Sequence, residues 1–431
     1  MVDIELTPEF QNALKLLENS TEHLYITGKA GTGKSTLLRH FRETTQKKIA
    51  VVAPTGIAAV NVGGQTIHSL LRFPPKFLEK DDVHTAGNNR LMLEKLDTLV
   101  IDEVSMVRAD LMDAIDWSLR INRRKMDIPF GGIQMVFMGD LYQLPPVVDS
   151  EMGGLFGQRY ESPFFFSADV FGSIDLHYIE LSRIFRQTDQ EFVGLLNRIR
   201  DNDCSASDLG ALNQRMVDAQ FLPSENTVTL TTTNRGADEI NRHRLSQLPE
   251  PEFEYEAVMS GKFDESSRPA KTALLLRQGA QVMMLRNDPG KRWVNGSIGR
   301  IARLSKTSIT VSIDGTDYAI PKERWEKIQY AWDADTEKIE REVIGAFEQY
   351  PIKLAWAITI HKSQGQTLTD VVIDMRSGAF AHGQLYVALS RCTSLSGIRL
   401  KTRIRPSDVI FDPRVLEFRN KARREYLSVG S

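Results

Sequence analysis

Cysteine is nearly absent. Only Cys204 and Cys392 occur in 431 residues. Neither sits in a Cys-x-x-Cys pair or beside a histidine cluster, which argues against both a disulfide framework and a zinc site; a reducing compartment fits. Long apolar runs are missing too, so no stretch is suited to crossing a membrane. Residues 1–10 (MVDIELTPEF) lack the basic-then-apolar pattern of a secretory signal. The expected location is intracellular, cytoplasmic in a bacterium, with no membrane partner. An excess of one charge is also lacking: 54 Lys+Arg face 56 Asp+Glu, for a net charge of -2. Any hold on an anionic polymer must therefore come from local grooves. No internal repeat is visible. The length calls for two or three packed domains, and an apolar fraction of 41% argues against disorder.

What is present is a series of short apolar runs, each ending in a loop of unusual composition. They are residues 23–28 (HLYITG), 48–53 (KIAVVA), 98–101 (TLVI) and 134–138 (QMVFM). Helical patterns lie between them. The first has Thr7 as N-cap, Pro8 in the first turn, and Phe10, Ala13, Leu14 and Leu17 at helical spacing. Such alternation predicts an α/β fold with parallel sheets, whose ligands bind beyond the carboxyl ends of the strands. Residues 64–90 read as a small excursion from a first domain formed by 1–63 and 91–180. A second domain, 181–290 and 355–431, holds an amphipathic stretch (EFVGLLNRIR) and the strand VTLTTTN. Alternating strands with Asn295-Gly296 and Asp314-Gly315 turns predict a small antiparallel barrel at 291–354. The basic segment FRNKARREYL reads as a solvated terminal helix.

Gly28, Lys29, Ala30, Gly31, Thr32, Gly33, Lys34 and Ser35 match G-x-x-x-x-G-K-[ST] between a strand and a helical pattern, with Thr36 following. In this context the backbone N–H groups of the loop face phosphate oxygens. Lys34 would reach the β and γ phosphates, and the Ser35 hydroxyl would hold magnesium. Strand 98–101 ends in Asp102, placed for the magnesium shell, and Glu103, placed to polarise the attacking water. Strand 134–138 runs into Asp140 and Gln143, and the Gln143 amide is suited to sensing the γ phosphate. Positive charge on the γ oxygens calls for an arginine from another domain. Arg186 and Arg391 are candidates, though spacing alone does not separate them from surface ion pairs.

Two further loops suit a phosphodiester strand. Pro54, Thr55 and Gly56 follow the second strand; Thr359, His361 and Lys362 end a later one. Backbone N–H groups and hydroxyls there hold phosphate without reading sequence. Phe73 and Phe77 are candidate stacking platforms, with core packing an equal alternative. The phosphate loop and Asp102-Glu103 by themselves also suit a nucleotide switch or a protein-remodelling ATPase; a passive single-strand binder is a third reading. Paired Thr/His/Lys loops favour a motor.

The ordered set GKAGTGKST, APTGIAAVNVGGQTIHS, VIDEVSM, GDLYQLPPV, TLTTTNRGADEIN, ITIHKSQGQTLTDVVID and YVALSRCTSLSGI resembles superfamily-one helicases. It is most similar to the petite-integration-frequency (Pif-type) DNA helicases of the 5′-to-3′ branch. FRQTDQEFVGLLNRIR looks like that family's signature stretch. The likeness spans residues 6–399. It implies two RecA-like domains closing on one Mg·ATP, an SH3-like barrel, and a wedge-bearing insertion at 64–90. It also implies that Gln11 reads adenine, that Arg186 and Arg391 are arginine fingers, and that Gln364 and Gly365 couple nucleotide to DNA. His68 joins the DNA track on the same ground. Single-stranded DNA and its junctions with duplex are the implied partners, with G-quadruplexes a further candidate and a monomer the expected free state. Against larger members of that family, the chain is expected to lack a long N-terminal extension. Polarity rests on the resemblance alone.

Overall fold

The computed structural model describes residues 7–429 apart from 75, 149, 186, 188, 219, 220, 222, 225, 334–337 and 377. The first lobe is built on six parallel strands: β1 (His23–Gly28), β2 (Ile49–Ala53), β3 (Gln65–Thr66), β4 (Thr98–Ile101), β5 (Gln134–Met138) and β6 (Leu176–Leu181). Their order is β3-β2-β4-β5-β1-β6. The runs TLVI and QMVFM are buried at every position, as strands covered on both faces require. On one face Leu24, Ile26, Val51, Val100 and Val136 meet Leu17, Leu37, Leu38 and Phe41 of the helices Pro8–Asn19 and Lys34–Thr44. On the other, Tyr25, Leu99, Ile101 and Phe137 share a core with Met112, Ile115 and Leu119 of the helix Ala109–Arg123. The Thr7 hydroxyl accepts from Phe10 N at 3.3 Å and starts the first helix at Pro8.

Residues 64–90 do not stand apart. They supply β3 and the helix Ile67–Leu71, and they bury Ile67, Leu70, Leu71, Phe73, Leu78 and Val83 in the first-lobe core. The apolar content read as an excursion is spent on packing.

The second lobe opens with β7 (Val228–Thr231). Ten antiparallel strands follow: β8 (Phe253–Glu256), β9 (Val258–Gly261), β10 (Ala273–Leu276), β11 (Gln281–Met284), β12 (Ile298–Leu304), β13 (Ile309–Ile313), β14 (Thr316–Ile320), β15 (Glu323–Asp333), β16 (Lys338–Gln349) and β17 (Ile352–Leu354). The chain then returns to β18 (Ala357–Thr359), β19 (Val371–Asp374) and β20 (Ile398–Leu400), which form the parallel sheet β18-β7-β19-β20. The antiparallel region thus begins well before residue 291. It also divides in three. Strands β14-β13-β12-β11-β17 form one sheet, β8 and β10 pair as a second, and β15, β16 and β9 form a separate arm.

Two elements of the second lobe dock on the first. In the arm, Tyr330 Oη accepts from Val51 N at 3.2 Å, and Tyr330 N donates to Gln65 Oε1 at 3.3 Å. The helix Pro413–Val429 crosses back so that Phe418 stacks on Phe166, with centroids 4.5 Å apart and planes 9° apart, while Arg423 pairs with Glu180. The terminal helix expected to be solvated is therefore pinned. Phe418, with buried Val415 and Ala422, supplies the contact from an otherwise polar sequence, and ring stacking adds to the area buried. No helix among the described residues is long and apolar enough to cross a membrane.

Candidate nucleotide and nucleic-acid cleft

Parallel pairing puts the carboxyl ends of β1, β4 and β5 on one edge, with β5 in the middle. Past β1 the chain curls through Gly31 (φ 84°) and Gly33 (φ 89°), and Gly33 caps the helix Lys34–Thr44. Left-handed backbone there favours glycine and turns the N–H groups inward. Lys34 Nζ donates to the carbonyls of Gly28 (2.6 Å) and Lys29 (3.2 Å). Burial pushes its ammonium below the ordinary lysine range, opposed first by Asp140 and then by Glu103. Past β4, Glu103 takes a left-handed φ of 51°, rare for a side chain of its size. Burial raises both Asp102 and Glu103 above the usual carboxylate range. Glu103 is raised further by Asp102 and held back by Lys34 and Arg391.

Past β5, Asp140 Oδ2 accepts from Gln143 Nε2 at 3.3 Å. Across the seam, Gln364 Nε2 donates to Gln143 Oε1 at 2.9 Å, so the two glutamines singled out in the sequence meet. Arg391 is 1% exposed. Its Nε donates to Val387 O at 3.0 Å and one terminal nitrogen to Ser390 Oγ at 2.8 Å. It lies near enough to Glu103 to lower that carboxyl. Arg186 falls outside the described residues. Gln11 is exposed on the first helix, whose buried face shares a core with the helix bearing Ser35 and Thr36.

A cleft of about 2210 Å³ separates the lobes. Ser35, Asp102 and Glu103 line it, as do Pro54, Thr55, Gly56 and His68 from the first lobe. From the second come Thr359, His361, Lys362, Gln364 and Gly365. The two threonine loops share one local device: Thr55 Oγ1 accepts from Ala58 N and Thr359 Oγ1 from Lys362 N, each at 3.2 Å. Burial lowers the pKa of His68 and His361, keeping both rings toward the neutral form. Phe73 reaches the cleft wall but is 7% exposed, and Phe77 meets Phe156 edge-on at 5.2 Å. Both rings pack, so of the two alternatives for them the core one describes this structure.

Several seam residues escaped the sequence reading. The Tyr386 hydroxyl accepts from Ala30 N of the phosphate loop at 3.3 Å. His382 spans the lobes, with Nε2 2.8 Å from Leu141 O and Nδ1 accepting from Asp412 N at 3.0 Å. Gln187 and Arg200 are buried in the stretch between them. Tyr386 sits in YVALSRC, the motif that carries Arg391, and Gln187 and Arg200 lie in the signature stretch FRQTDQEFVGLLNRIR, so the motif was in view although these roles were not; His382 carries no local signal.

A phosphate loop in one lobe facing an arginine in the other places the chain among two-lobed P-loop proteins. A profile described as PIF1-like helicase matches residues 6–209. The ATP-dependent DNA helicase Pif1 of Bdellovibrio bacteriovorus is 34% identical over 427 residues, covering 96% of this chain and 92% of that one. The chain belongs to the PIF1-like helicase family. Matched helicases of Emericella nidulans and Homo sapiens are longer, and the chain spans 62% of each. Unliganded Pif1 from Bacteroides sp. superposes with a TM-score of 0.90 at 38% identity, with 98% of both chains covered. Bacteroides Pif1 bound to single-stranded DNA covers the same share at 39% identity with a TM-score of 0.70.

Proposed function

We propose that the chain is an ATP-dependent DNA helicase that moves 5′ to 3′ along a single strand and unwinds duplex or structured DNA. One observation carries this reading beyond family membership: a single cleft is lined by the carboxylates of a nucleotide site and by one threonine-capped loop from each lobe. Two grips on one strand, with a hydrolysable ligand between them, make a stepping device when the ligand changes the separation of the lobes.

Each side chain then has a task. Backbone N–H groups of 28–35 cradle the phosphates, with Lys34 on the β and γ groups and Gln11 toward the adenine. Glu103 takes a proton from the attacking water, a role its raised pKa suits. Gln143 contacts the γ phosphate and passes its state through Gln364 and Gly365. Arg391, with Arg186, neutralises the charge that develops on the γ oxygens. Ser35 and Asp102 would hold the magnesium that accompanies ATP. Their hard oxygen donors fit that ion, and no cluster of three or more His, Cys, Asp or Glu able to hold a metal occurs among the described residues. The cation would thus be held jointly with the phosphates. Thr55 and Gly56 with Pro54 and His68, and Thr359 with His361 and Lys362, hold phosphodiesters without base readout. The lobes correspond to two RecA-like domains, the β11–β14 sheet with β17 to a small SH3-like barrel, and residues 64–90 to a wedge element. Free protein is a monomer, and G-quadruplexes join junctions as substrates.

Duplexes with a 5′ or a 3′ single-stranded tail test the reading. Unwinding only from the 5′ tail, with hydrolysis stimulated by single strands, is expected. Unwinding from the 3′ tail overturns the polarity, and hydrolysis indifferent to DNA favours a nucleotide switch.

A further inference from the structure

The segment joining the two lobes buries a polar side chain near each end. Gln187, 5% exposed, donates through Nε2 to the carbonyls of Ser390 (3.0 Å) and Cys392 (3.2 Å), on either side of Arg391. At the last position of the helix Gln190–Arg200, Arg200 is 3% exposed. One of its terminal nitrogens lies 3.5 Å from Asp140 Oδ1 and the other 3.5 Å from Asp201 Oδ1, and its guanidinium stands 3.8 Å from the centre of the Tyr142 ring. Its Nε and the nitrogen nearest Asp140 have no hydrogen-bond partner. Burying a guanidinium is costly unless it is paired and hydrogen-bonded, so a position this deep calls for a cause.

Asp140 supplies one. It is 1% exposed, accepts from Tyr142 N on Oδ1 at 3.2 Å, and accepts from Gln143 Nε2 on Oδ2 at 3.3 Å. We propose that Arg200 is a positioning residue for nucleotide hydrolysis, acting through Asp140 to fix the orientation of Gln143. This rests on the reading of Gln143 as the γ-phosphate contact. Two cations compete for Asp140. Lys34 is one: it is held on the carbonyls of Gly28 and Lys29, and Asp140 is the carboxylate that most favours its charged form. When Lys34 turns to a phosphate, Asp140 keeps a counter-charge only if Arg200 is present. Without Arg200 the carboxylate competes with the phosphate for Lys34 and no longer holds the Gln143 amide in one orientation. At 3.5 Å the pair is longer than a charge-assisted hydrogen bond of about 2.7–2.9 Å. The guanidinium therefore has both room and unused N–H groups to tighten when the lobes close. The same connecting segment thus braces the backbone around Arg391 at one end and the Gln143 loop at the other.

The test compares Arg200→Gln, Arg200→Lys, Asp140→Asn and the double variant Arg200→Gln/Asp140→Asn. The readouts are steady-state ATP hydrolysis with single-stranded DNA and equilibrium binding of ADP and of a non-hydrolysable ATP analogue. Arg200→Gln is expected to lower kcat by about tenfold or more with KM and ADP affinity within about twofold, and to erode the preference for the ATP analogue over ADP. Arg200→Lys recovers part of the loss. The double variant is no slower than Arg200→Gln, because both changes break one linkage. Losses that multiply in the double variant, ADP affinity falling in step with kcat, or an unchanged kcat would each overturn the inference. Asp140→Asn, nearly isosteric, reads the same linkage if Arg200→Gln fails to fold. DNA-stimulated hydrolysis unaffected by Arg200→Gln sinks this inference and leaves the helicase reading standing. Analogue preference that depends on Arg200, in a parent chain whose hydrolysis ignores DNA, does the reverse.

Discussion

The two lobes hold their charged groups in opposite ways. In the first, Lys34 at a helix start and Asp102 and Glu103 past a strand end sit half-buried with displaced pKa values, and Glu103 is held in a left-handed conformation. In the second, Arg391 is enclosed and donates to Val387 O, Ser390 Oγ and Ser363 O of its own lobe. The first side is poised: Lys34 has only to exchange two carbonyls of its own half-exposed loop for phosphate, whereas Arg391 must also leave an enclosed site. On the proposed reading, nucleotide binding belongs to the first lobe alone, while hydrolysis waits for the second to rearrange.

The largest effects should follow from breaking the poised side. Lys34→Ala and Glu103→Gln are each expected to reduce ATP hydrolysis by about 10²–10⁴-fold, with single-strand affinity within about twofold. Strand binding lost in parallel would mean that the first lobe does not separate the two tasks. The pH profile sharpens the same side. Burial raises the Glu103 carboxyl, so the base is lost to protonation at a higher pH than an ordinary glutamate would show. Hydrolysis should accordingly fall on acidification from nearer neutrality, and initial rates across pH 5–8 will show whether it does. Arg391→Ala addresses the enclosed side. A loss of about 10³ in kcat is expected, with ATP affinity changed by less than about tenfold. Equal losses in both would reduce Arg391 to a binding residue and erase the contrast.

Much of the poised side is legible in the sequence, because strand, loop and helix are consecutive there. HLYITG, TLVI and QMVFM are the strands β1, β4 and β5, and the residues at their ends follow directly. On the enclosed side the family likeness points to Arg391, but its burial is not legible. Nothing local tells which of many arginines is buried, and Arg200 and Arg391 acquire their surroundings from segments far away in sequence. The docking of the arm and of the expected terminal helix is illegible for the same reason. Tyr330 finds Val51, and Phe418 finds Phe166, only once the lobes are docked. Residues 64–90 misled because proline and charge suggested an excursion, whereas Ile67, Leu70 and Leu71 decide the packing.

The strand grips offer a contrast in the other direction, since the two lobes here are alike. Changing His361 and Lys362 together to Ala removes one phosphate-facing charge and a polar ring from the second lobe's loop. Single-strand affinity is expected to fall about tenfold and the slope of log affinity against log salt to shrink by about one. Unchanged binding would take that loop off the track. The smallest change tests the likeness itself. Thr55→Val and Thr359→Val keep shape but delete the hydroxyl that accepts from Ala58 N or Lys362 N at the same 3.2 Å. A lost cap of this kind costs about 1 kcal/mol, or roughly a fivefold weakening if a loop must be formed to hold the strand. Comparable losses at both sites, read by titration of labelled single strands at fixed salt, would make the grips equal partners. A loss confined to Thr359→Val would mean that one lobe carries the strand while the other follows. Stepping would then depend on a single anchor instead of two alternating ones.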